Sequence, residues 1–167
     1  MSRLSRVCTH LALYFAIVFI AGCAVNTRAK DTFPSDSQWS GRLALKVQGT
    51  PPQAFSADFE LGGSATAGLL AFYSPLGTTA ARLQWAPGAA TLVADGATRQ
   101  FDSLDALVLQ ATGAELPVSA LFDWLRGSAT AAPGWTVDLS GLEQGRLSAV
   151  RETPELALVE LRILLHR

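Results

Sequence analysis

Apolar and polar residues alternate along much of the chain between residues 42 and 101. This period of two is the sequence feature that most restricts the possible folds, because it is typical of β-strands with one buried face. Leu43, Leu45 and Val47 are spaced by two residues, which places all three on one face of a β-strand. The segment 68–73 is apolar on both faces, which indicates a central strand or a face that contacts a ligand or a lid. Strands are predicted at 42–47, 55–61, 68–73, 79–85, 90–94 and 98–101. Turn residues separate consecutive strands, so the pattern predicts an antiparallel meander.

Two short amphipathic helices are predicted to follow the sixth strand. Ser103 is a typical N-cap, and Gly113 is predicted to end the first helix. Pro117 suits the first turn of the second helix, and Gly127 is predicted to end it. The apolar residues of each helix fall on one stripe. They are Leu104, Leu107, Val108 and Ala111 in the first helix, and Val118, Leu121, Phe122 and Leu125 in the second, where Trp124 widens the stripe.

Three further strands are predicted after the helices, at 135–139, 146–150 and 158–165. The order of strands, helices and strands predicts an α+β domain that is mainly β. In this domain one strongly curved antiparallel sheet carries both short helices over one face. The helices would either seal an ordinary core or act as a lid over a binding site.

The first 23 residues have the organisation of an export signal. Arg3 and Arg6 precede the apolar run 11–20, which is too short for a membrane-spanning helix of about 20 residues. The run ends in Ile20-Ala21-Gly22-Cys23, which resembles the bacterial lipobox. That resemblance implies cleavage before Cys23 and attachment of diacylglyceryl and N-acyl groups to this cysteine. The alternative is an ordinary secretory signal, after which Cys23 would remain an unpaired thiol in an oxidising compartment.

These features divide the chain into three parts. Residues 1–22 are predicted to be a cleaved signal peptide, residues 23–38 a lipidated cysteine with a flexible tether, and residues 39–167 the folded domain. Ala24 stands at the position where Asp retains proteobacterial lipoproteins of this kind in the inner membrane. The resemblance therefore implies a lipid anchor in the outer membrane, with the domain on its periplasmic face.

The composition argues against several kinds of chemistry. Cleavage would remove Arg3 and Arg6 from the 13 basic residues and none of the 14 acidic ones, which leaves a net charge of −3 and argues against nucleic-acid binding. The one remaining histidine, His166, is next to the C-terminus, so no catalytic triad or histidine-rich metal site is indicated. Asp58 and Glu60 are expected to be solvated on one face of a strand. We therefore expect a binding or carrier protein, not an enzyme, with no metal and no cofactor beyond the groups on Cys23.

Five segments of the predicted domain resemble the LolB family of outer-membrane lipoproteins. The most specific are 74–79 (SPLGTT) and 116–127, in which LPV is followed by LFDWLRG. The others are 39–45 (WSGRLAL), 134–135 (GW) and 161–164 (LRIL), and the five occur in the family's order. The resemblance implies a half-open β-barrel that is closed by a helical lid.

The resemblance also implies a function and partners. Members of the family accept lipoproteins from a soluble LolA-like periplasmic carrier and insert them into the outer membrane, which implies acyl chains as cargo, membrane lipid as acceptor and a monomeric protein. Because the sequence has no nucleotide-binding motif, the energy would come from differences in affinity. Candidates for an acyl-chain cavity are Leu43, Leu45, Phe55, Phe59, Leu70, Phe72, Leu83, Trp85, Leu121, Trp124 and Leu125. The alternative is that all of them are ordinary core residues.

The predicted turn with Pro75, Leu76 and Gly77 is a separate candidate site. A polar residue is expected in such a turn. Leu76 therefore either folds back onto the core or projects as a membrane contact, and burying one leucine is worth about 1.5–3 kcal/mol. The exposed hydrophobic residue of this loop in the LolB family aligns with Leu76. The resemblance thus implies that Leu76 delivers cargo into the membrane.

Two other classes of function remain open from the residues alone. A structural lipoprotein would dock a partner on a sheet edge or on the helices, and it would have a solid core. A carrier instead needs an apolar cavity that opens to solvent. A hydrolase with an unrecognised site would need clustered carboxylates with perturbed pKa values.

Overall fold

The computed structural model describes residues 37–112, 114–154 and 156–166. Within these residues the chain forms one antiparallel sheet of nine strands and two α-helices. The helices α1 (Leu104–Thr112) and α2 (Val118–Leu125) lie between β6 and β7 in the chain, and a 3₁₀ turn (Leu142–Gln144) precedes β8. The strands are β1 (Gln38–Gln48), β2 (Gln53–Gly63), β3 (Gly68–Tyr73), β4 (Thr79–Ala86), β5 (Ala89–Ala94), β6 (Ala97–Phe101), β7 (Trp135–Asp138), β8 (Arg146–Thr153) and β9 (Leu156–Leu165).

The strand order in the sheet is β6-β5-β4-β3-β2-β1-β9-β8-β7. The edge strands β6 and β7 do not pair with each other, so the described sheet is not closed. This confirms the prediction of a mainly β domain with an open antiparallel sheet and a short helical lid. Gln38, assigned above to the tether, is the first residue of β1 and pairs with Gly62. The predicted signal peptide, Cys23 and the rest of the tether up to residue 36 lie outside the described residues.

One face of the sheet forms the apolar interior, and we call it the inner face. Leu43 of β1 lies opposite Ala57 of β2 and Ile163 of β9. Residues that lie opposite each other point to the same face, so the alternating apolar residues of neighbouring strands form continuous rows. Intervening residues such as Arg42 lie on the outer face, where Arg42 forms an ion pair with Asp58 at 3.2 Å. The period of two seen in the sequence therefore separates core from solvent.

The two helices cover part of the inner face. The Ser103 hydroxyl accepts a hydrogen bond from the Ala106 N–H at 3.2 Å, as expected of an N-cap. α1 buries Leu107 and Val108. Gly127 follows α2 with a φ of +89°, which confirms the predicted helix end, whereas Gly113 lies outside the described residues. In the described part of the chain no helix is long and apolar enough to cross a membrane. The residues that α2 buries are Ala120, Leu121, Phe122, Trp124 and Leu125.

Four turns lie at the same end of the sheet, because neighbouring strands are antiparallel. They join β1 to β2 (49–52), β3 to β4 (74–78), β5 to β6 (95–96) and β8 to β9 (at Pro154). We call this the Leu76 end. The connections 64–67, 87–88 and 139–145 lie at the opposite end. Asp95 and Gly96 have φ values of +53° and +74°, which confirms the tight hairpin predicted from this dipeptide.

Strands β3 and β4 approach each other closely at Gly68. A Cβ atom at this position would lie 2.5 Å from Cζ2 of Trp85 and 2.6 Å from the carbonyl oxygen of Gly62. The Trp85 indole occupies this space and donates a hydrogen bond from Nε1 to the Ser64 carbonyl oxygen at 2.9 Å. Only glycine leaves room for this buried tryptophan.

Candidate functional site

A cavity opens between α1 and the adjoining ends of β1 and β2. Its volume is about 560 Å³, within the range of roughly 300–1,000 Å³ typical of ligand pockets. α1 packs mainly against β5 and β6, the strands that precede it in the chain, so the space above the β1–β2 hairpin is left unfilled. The lining residues are Leu45, Val47, Gln53, Ala54, Phe55, Ala106, Leu109, Gln110, Ala111 and Thr112.

The cavity wall combines apolar and polar side chains. Phe55 is 41% exposed, and Leu109 is also exposed, so apolar surface reaches solvent here. The Thr112 hydroxyl lies 2.8 Å from the Val108 carbonyl oxygen, to which it donates, so its hydrogen bonding is satisfied inside the protein. Leu109 was not predicted as a lining residue because it lies off the apolar stripe of α1. Val47 could have been included, because it continues the alternation of Leu43 and Leu45.

Leu45 and Phe55 are the two predicted cavity residues that line this cavity. Eight others are buried in the apolar interior, and Leu70 is partly buried against it. A role of these nine residues in binding acyl chains stays a prediction, because they pack against one another between sheet and helices. The eight buried residues are Leu43, Phe59, Phe72, Leu83, Trp85, Leu121, Trp124 and Leu125.

α2 is anchored to the sheet by aromatic contacts. The Phe122 ring lies edge-on to Trp39, with ring centroids 5.6 Å apart, and to Trp85 at 6.3 Å. Trp124 Nε1 donates a hydrogen bond to the Thr130 carbonyl oxygen at 2.8 Å. The wall of the cavity is formed by α1, which buries only two residues, and not by the better anchored α2.

Leu76 projects from the β3–β4 turn and is 90% exposed. The Gly77 N–H donates to the Ser74 carbonyl oxygen at 2.8 Å, and the Ser74 N–H donates to the Thr78 carbonyl oxygen at 2.9 Å. These bonds close the turn, and the φ of +75° at Gly77 suits glycine. Leu76 thus does not fold back onto the core, which was the alternative placement considered for it.

The cavity opening and Leu76 lie at the same end of the sheet. The cavity is lined by the end of β1 and the start of β2, which flank the turn 49–52. Phe55 at its opening packs edge-on against Phe72, with ring centroids 5.1 Å apart. Phe72 lies two residues before Ser74, where the β3–β4 turn begins. The Phe55–Phe72 pair therefore joins the cavity to the end of β3 that leads into the Leu76 turn.

Arg151 is the one buried charged residue in the described part of the chain, at 7% exposure. It lies on the inner face, because it continues the alternation of Leu147 and Ala149 in β8. Its Nη1 lies 3.4 Å from the carbonyl oxygen of Glu115, between the helices, and 3.8 Å from the Glu115 carboxylate. Its Nε has no hydrogen-bond partner among the described residues. Sequence reasoning missed Arg151, because an arginine at the end of a predicted strand is normally assigned to solvent.

A second concavity, of about 630 Å³, lies on the outer face of the sheet. Arg42, Arg146 and Arg162 line it, but Arg42 pairs with Asp58 at 3.2 Å and Arg162 with Glu160 at 3.4 Å. Asp138 lies at the same concavity, and hydrogen bonds from the side chain and backbone of Ser140 lower the pKa of its exposed carboxyl. Positive charge is thus largely matched by neighbouring carboxylates.

The carboxylates of β2 are occupied by structural partners. Asp58 forms the ion pair with Arg42, and Glu60 accepts a hydrogen bond from the Tyr73 hydroxyl at 2.7 Å. Among residues 37–112, 114–154 and 156–166, no group of three or more His, Cys, Asp or Glu side chains is placed to hold a metal ion.

Comparison with known proteins places these features in a family. The family model described as "Outer membrane lipoprotein LolB" matches residues 35–157. Proteins named outer-membrane lipoprotein LolB are similar to the chain over much of its length. The one from Chromobacterium violaceum is 35% identical over 134 residues, which cover 76% of this chain and 73% of that protein. The one from Ralstonia nicotianae is 30% identical over 157 residues, 89% of this chain and 74% of that protein.

Coverage of some relatives is smaller. The match to the LolB protein of Bordetella petrii is 39% identical over 112 residues, which cover 65% of this chain and 56% of that protein. The family match nevertheless extends from the residues before β1 into the start of β9, and so includes the cavity, both helices and the Leu76 turn. The chain therefore belongs to the LolB family of outer-membrane lipoproteins.

Proposed function

We propose that the chain accepts lipoproteins from a soluble LolA-like periplasmic carrier and inserts them into the outer membrane. In this proposal the acyl groups on Cys23 anchor a monomeric domain at the periplasmic face of the membrane. The acyl chains of the cargo enter the cavity beneath α1 and leave at the Leu76 end. Leu76 penetrates the acceptor membrane, and no nucleotide or metal takes part.

The observation that carries this proposal is the placement of the cavity opening and of Leu76 at one end of the sheet. The domain has a cavity that is open to solvent and carries exposed apolar side chains. A carrier of acyl chains needs such a cavity, whereas a purely structural lipoprotein does not need one. Leu76 is 90% exposed at the tip of a hydrogen-bonded turn, so burial of its side chain contributes almost nothing to the stability of the fold. Its burial in a membrane would contribute about 1.5–3 kcal/mol.

The energetics of acyl chains require a direct transfer between apolar sites. Exposing a chain to water costs about 0.8 kcal/mol per CH₂ group, so three chains cost on the order of tens of kcal/mol. The sequence has no phosphate-binding motif that would couple transfer to nucleotide hydrolysis. The cargo therefore moves down a gradient of affinity, from the carrier to this cavity and from the cavity to the bilayer.

The contacts of the two helices favour α1 as the part that moves when cargo enters. α1 buries only Leu107 and Val108, whereas α2 is fixed by Phe122 and Trp124. Displacement of α1 would enlarge the cavity and uncover apolar side chains that are packed beneath the helices. Such local opening is expected of the least buried element next to a site.

A photocrosslinking experiment tests this function. The full chain, reconstituted in vesicles of phosphatidylethanolamine and phosphatidylglycerol, carries p-benzoylphenylalanine at position 55 or at position 93. Val93 is a matched control, because it is also 41% exposed but lies on the outer face of β5. The vesicles are then incubated with a carrier-bound lipoprotein.

We expect crosslinks to the lipoprotein from position 55 and not from position 93, and recovery of the lipoprotein in the vesicles. A folded protein that gives neither crosslinks nor transfer would refute the proposal. It would instead favour a structural lipoprotein that shares the fold of the family.

A further inference from the structure

We propose that the tip of the β8–β9 hairpin, at Leu156, is a second membrane contact of this domain. The inference rests on the proposed function, because it takes the Leu76 end as the end that meets the bilayer. It adds a different turn, on a different part of the sheet, to the contact made by Leu76.

Leu156 is exposed at the same end of the sheet as Leu76. It is the first residue of β9, it pairs with Thr153 across the hairpin, and it is 52% exposed. On its other side β9 pairs with β1, where Leu158 lies opposite Gln48, the last residue of β1. The tip of the β8–β9 hairpin therefore lies beside the β1–β2 turn.

The two turns are in contact range. A Cβ atom on Gly49 would lie 4.0 Å from the Cβ atom of Ala157, the residue after Leu156. The β1–β2 turn contributes Pro51 and Pro52, both exposed. Leu156 thus belongs to a small projection formed by two adjacent turns, which we call the Leu156 tip (Pro51, Pro52, Pro154 and Leu156). Glu155, between Pro154 and Leu156 in the sequence, is the one charged residue in the sequence of these two turns.

The prolines lower the cost of placing this tip in a less polar medium. A backbone N–H that loses its hydrogen bond to water without a new partner is costly in a membrane. Proline has no N–H, so Pro51, Pro52 and Pro154 bring no such donor into the interface. Pro75 does the same beside Leu76.

The shape of the tip favours lipid over a protein as its partner. Leu156 and Leu76 are separate projections, because β2 and β1 lie between β3 and β9. Three strand spacings amount to roughly 14 Å. One leucine with neighbouring prolines offers far less than the roughly 1,000 Å² buried in a stable protein interface. A single leucine can, however, insert between lipids, and two separate points of insertion would hold the domain in one orientation on the membrane.

A depth-dependent fluorescence experiment tests the proposal. The full chain carries a single introduced cysteine, as Leu76→Cys, Leu156→Cys or Leu164→Cys, labelled with an environment-sensitive nitrobenzoxadiazole dye. Leu164 is the matched control, because it is 51% exposed in the same strand but lies near the opposite end, eight residues or roughly 27 Å from Leu156. The unsubstituted chain reports any labelling of Cys8 and Cys23.

Each protein is reconstituted in vesicles of phosphatidylethanolamine and phosphatidylglycerol that contain a phospholipid with a nitroxide on its acyl chain. We expect a blue-shifted emission and at least twofold stronger nitroxide quenching at positions 76 and 156 than at position 164. Circular dichroism of each labelled protein verifies that it is folded.

The outcomes separate this inference from the proposed function. Strong quenching at position 76, together with quenching at position 156 no greater than at position 164, would overturn the second contact and leave the proposed function in place. Equal quenching at all three positions would overturn both. A spectral shift at position 156 that depends on protein concentration and not on nitroxide lipid would indicate contact with a second copy of the chain, and would also overturn the proposal.

Discussion

The rings of Phe55 and Phe72 meet edge to face, with centroids 5.1 Å apart and an interplanar angle of 84°. Phe72 is buried in the apolar interior, whereas Phe55 stands at the opening of the cavity. The pair thus joins the packed core to the surface at the Leu76 end. Substitutions can therefore separate the packing of Phe55 against Phe72 from its proposed role in binding cargo.

Replacement of Phe55 should affect cargo more than folding. Phe55→Ala removes an aromatic contact worth about 0.5–1.5 kcal/mol, and we expect a loss of similar size in the free energy of unfolding, measured with urea. Retention of cargo should fall about tenfold, because apolar surface is lost at the opening.

The conservative variant Phe55→Leu provides the control, since it keeps an apolar side chain without the ring. It should retain most of the cargo binding. Phe72→Ala should behave differently and lose about 3–5 kcal/mol of stability as a core truncation. Unchanged cargo binding in Phe55→Ala would contradict the assignment of the cavity.

Leu76→Glu should block insertion of cargo without unfolding the protein. The side chain is 90% exposed and its turn is closed by backbone hydrogen bonds, so we expect a change in melting temperature within experimental error. Loss of one buried leucine, about 1.5–3 kcal/mol, corresponds to a decrease of roughly 10- to 100-fold in membrane insertion. Binding of cargo from the carrier should remain near normal.

Leu76→Phe is the matched variant, because it keeps a large apolar side chain in the same turn. It should insert cargo nearly as well as the unchanged protein. A large loss of stability in Leu76→Glu would show that Leu76 contributes to folding, and normal insertion would remove the membrane role.

Replacement of Arg151 should not destabilise the domain. Its guanidinium is buried, and its carboxylate partner, 3.8 Å away, is itself largely exposed. In the part of the chain that the structure describes, Nε has no hydrogen-bond partner. Replacement of a buried ion pair by apolar side chains is often neutral or stabilising, by about 1–4 kcal/mol. Here the Glu115 carboxylate is exposed, so removing Arg151 alone leaves no buried charge behind. We expect Arg151→Met to raise the free energy of unfolding by about 1 kcal/mol, measured by urea denaturation at neutral pH.

Glu115→Gln serves as the comparison, because it removes the carboxylate and keeps the backbone carbonyl that Arg151 contacts. It should lower stability by at most about 1 kcal/mol, since the Glu115 side chain is exposed. A decrease of several kcal/mol in Arg151→Met would mean that the guanidinium is well satisfied in the folded protein.

Gly68→Ala should destabilise the sheet where β3 begins, beside Gly62 and Trp85. The added methyl group would lie 2.5 Å from the Trp85 ring and 2.6 Å from the Gly62 carbonyl oxygen, so strands or indole must shift. Overpacking of this kind costs about 1–3 kcal/mol. Thermal unfolding would measure the loss, and near-ultraviolet circular dichroism would report the displaced tryptophan.

Gly49→Ala is its control. The nearest atoms to an added methyl group there are 3.6 and 4.0 Å away, which are ordinary contact distances. We expect stability within about 0.5 kcal/mol of the unchanged protein. Equal effects of the two substitutions would show that glycine content, and not the space beside Trp85, sets the cost.

Local patterns in the sequence were enough to predict the strands and both helices. Leu43, Leu45 and Val47 alternate in a strand with one buried face, and Asp95-Gly96 marks a hairpin without any tertiary information. The prediction of an open sheet under two helices follows from the order of these elements. The fold could therefore be predicted, because the local sequence preferences for strand, turn and helix agree with the final structure.

The candidate site was harder to predict from the sequence, because it depends on where strands and helices end and on how they pack together. Phe55 has the same spacing as the buried Ala57 and Phe59, but the pairing of β2 with β3 begins only at Asp58. Phe55 therefore has no residue paired opposite it in β3, and part of its ring reaches solvent. Arg151 points inward because β8 continues past Val150, where the predicted strand ended. The polar side chain of Arg151 gave no sign in the sequence that the strand continues. The cavity itself results from the position of α1 over the sheet, which no local pattern specifies.

The helices are also the covalent bridge between the two edges of the sheet. β6 leads directly into α1, and the chain returns from α2 to β7, so residues 102–134 span the gap that the nine strands leave open. Because this connection has a fixed length, the position of the two helices depends on the distance between the edge strands β6 and β7. Cargo that lifts α1 would therefore also pull on β6 and β7 and alter the curvature of the sheet beneath it. In the proposed function, entry of an acyl chain would change the shape of the whole rim of the sheet, including the turns proposed to contact the membrane.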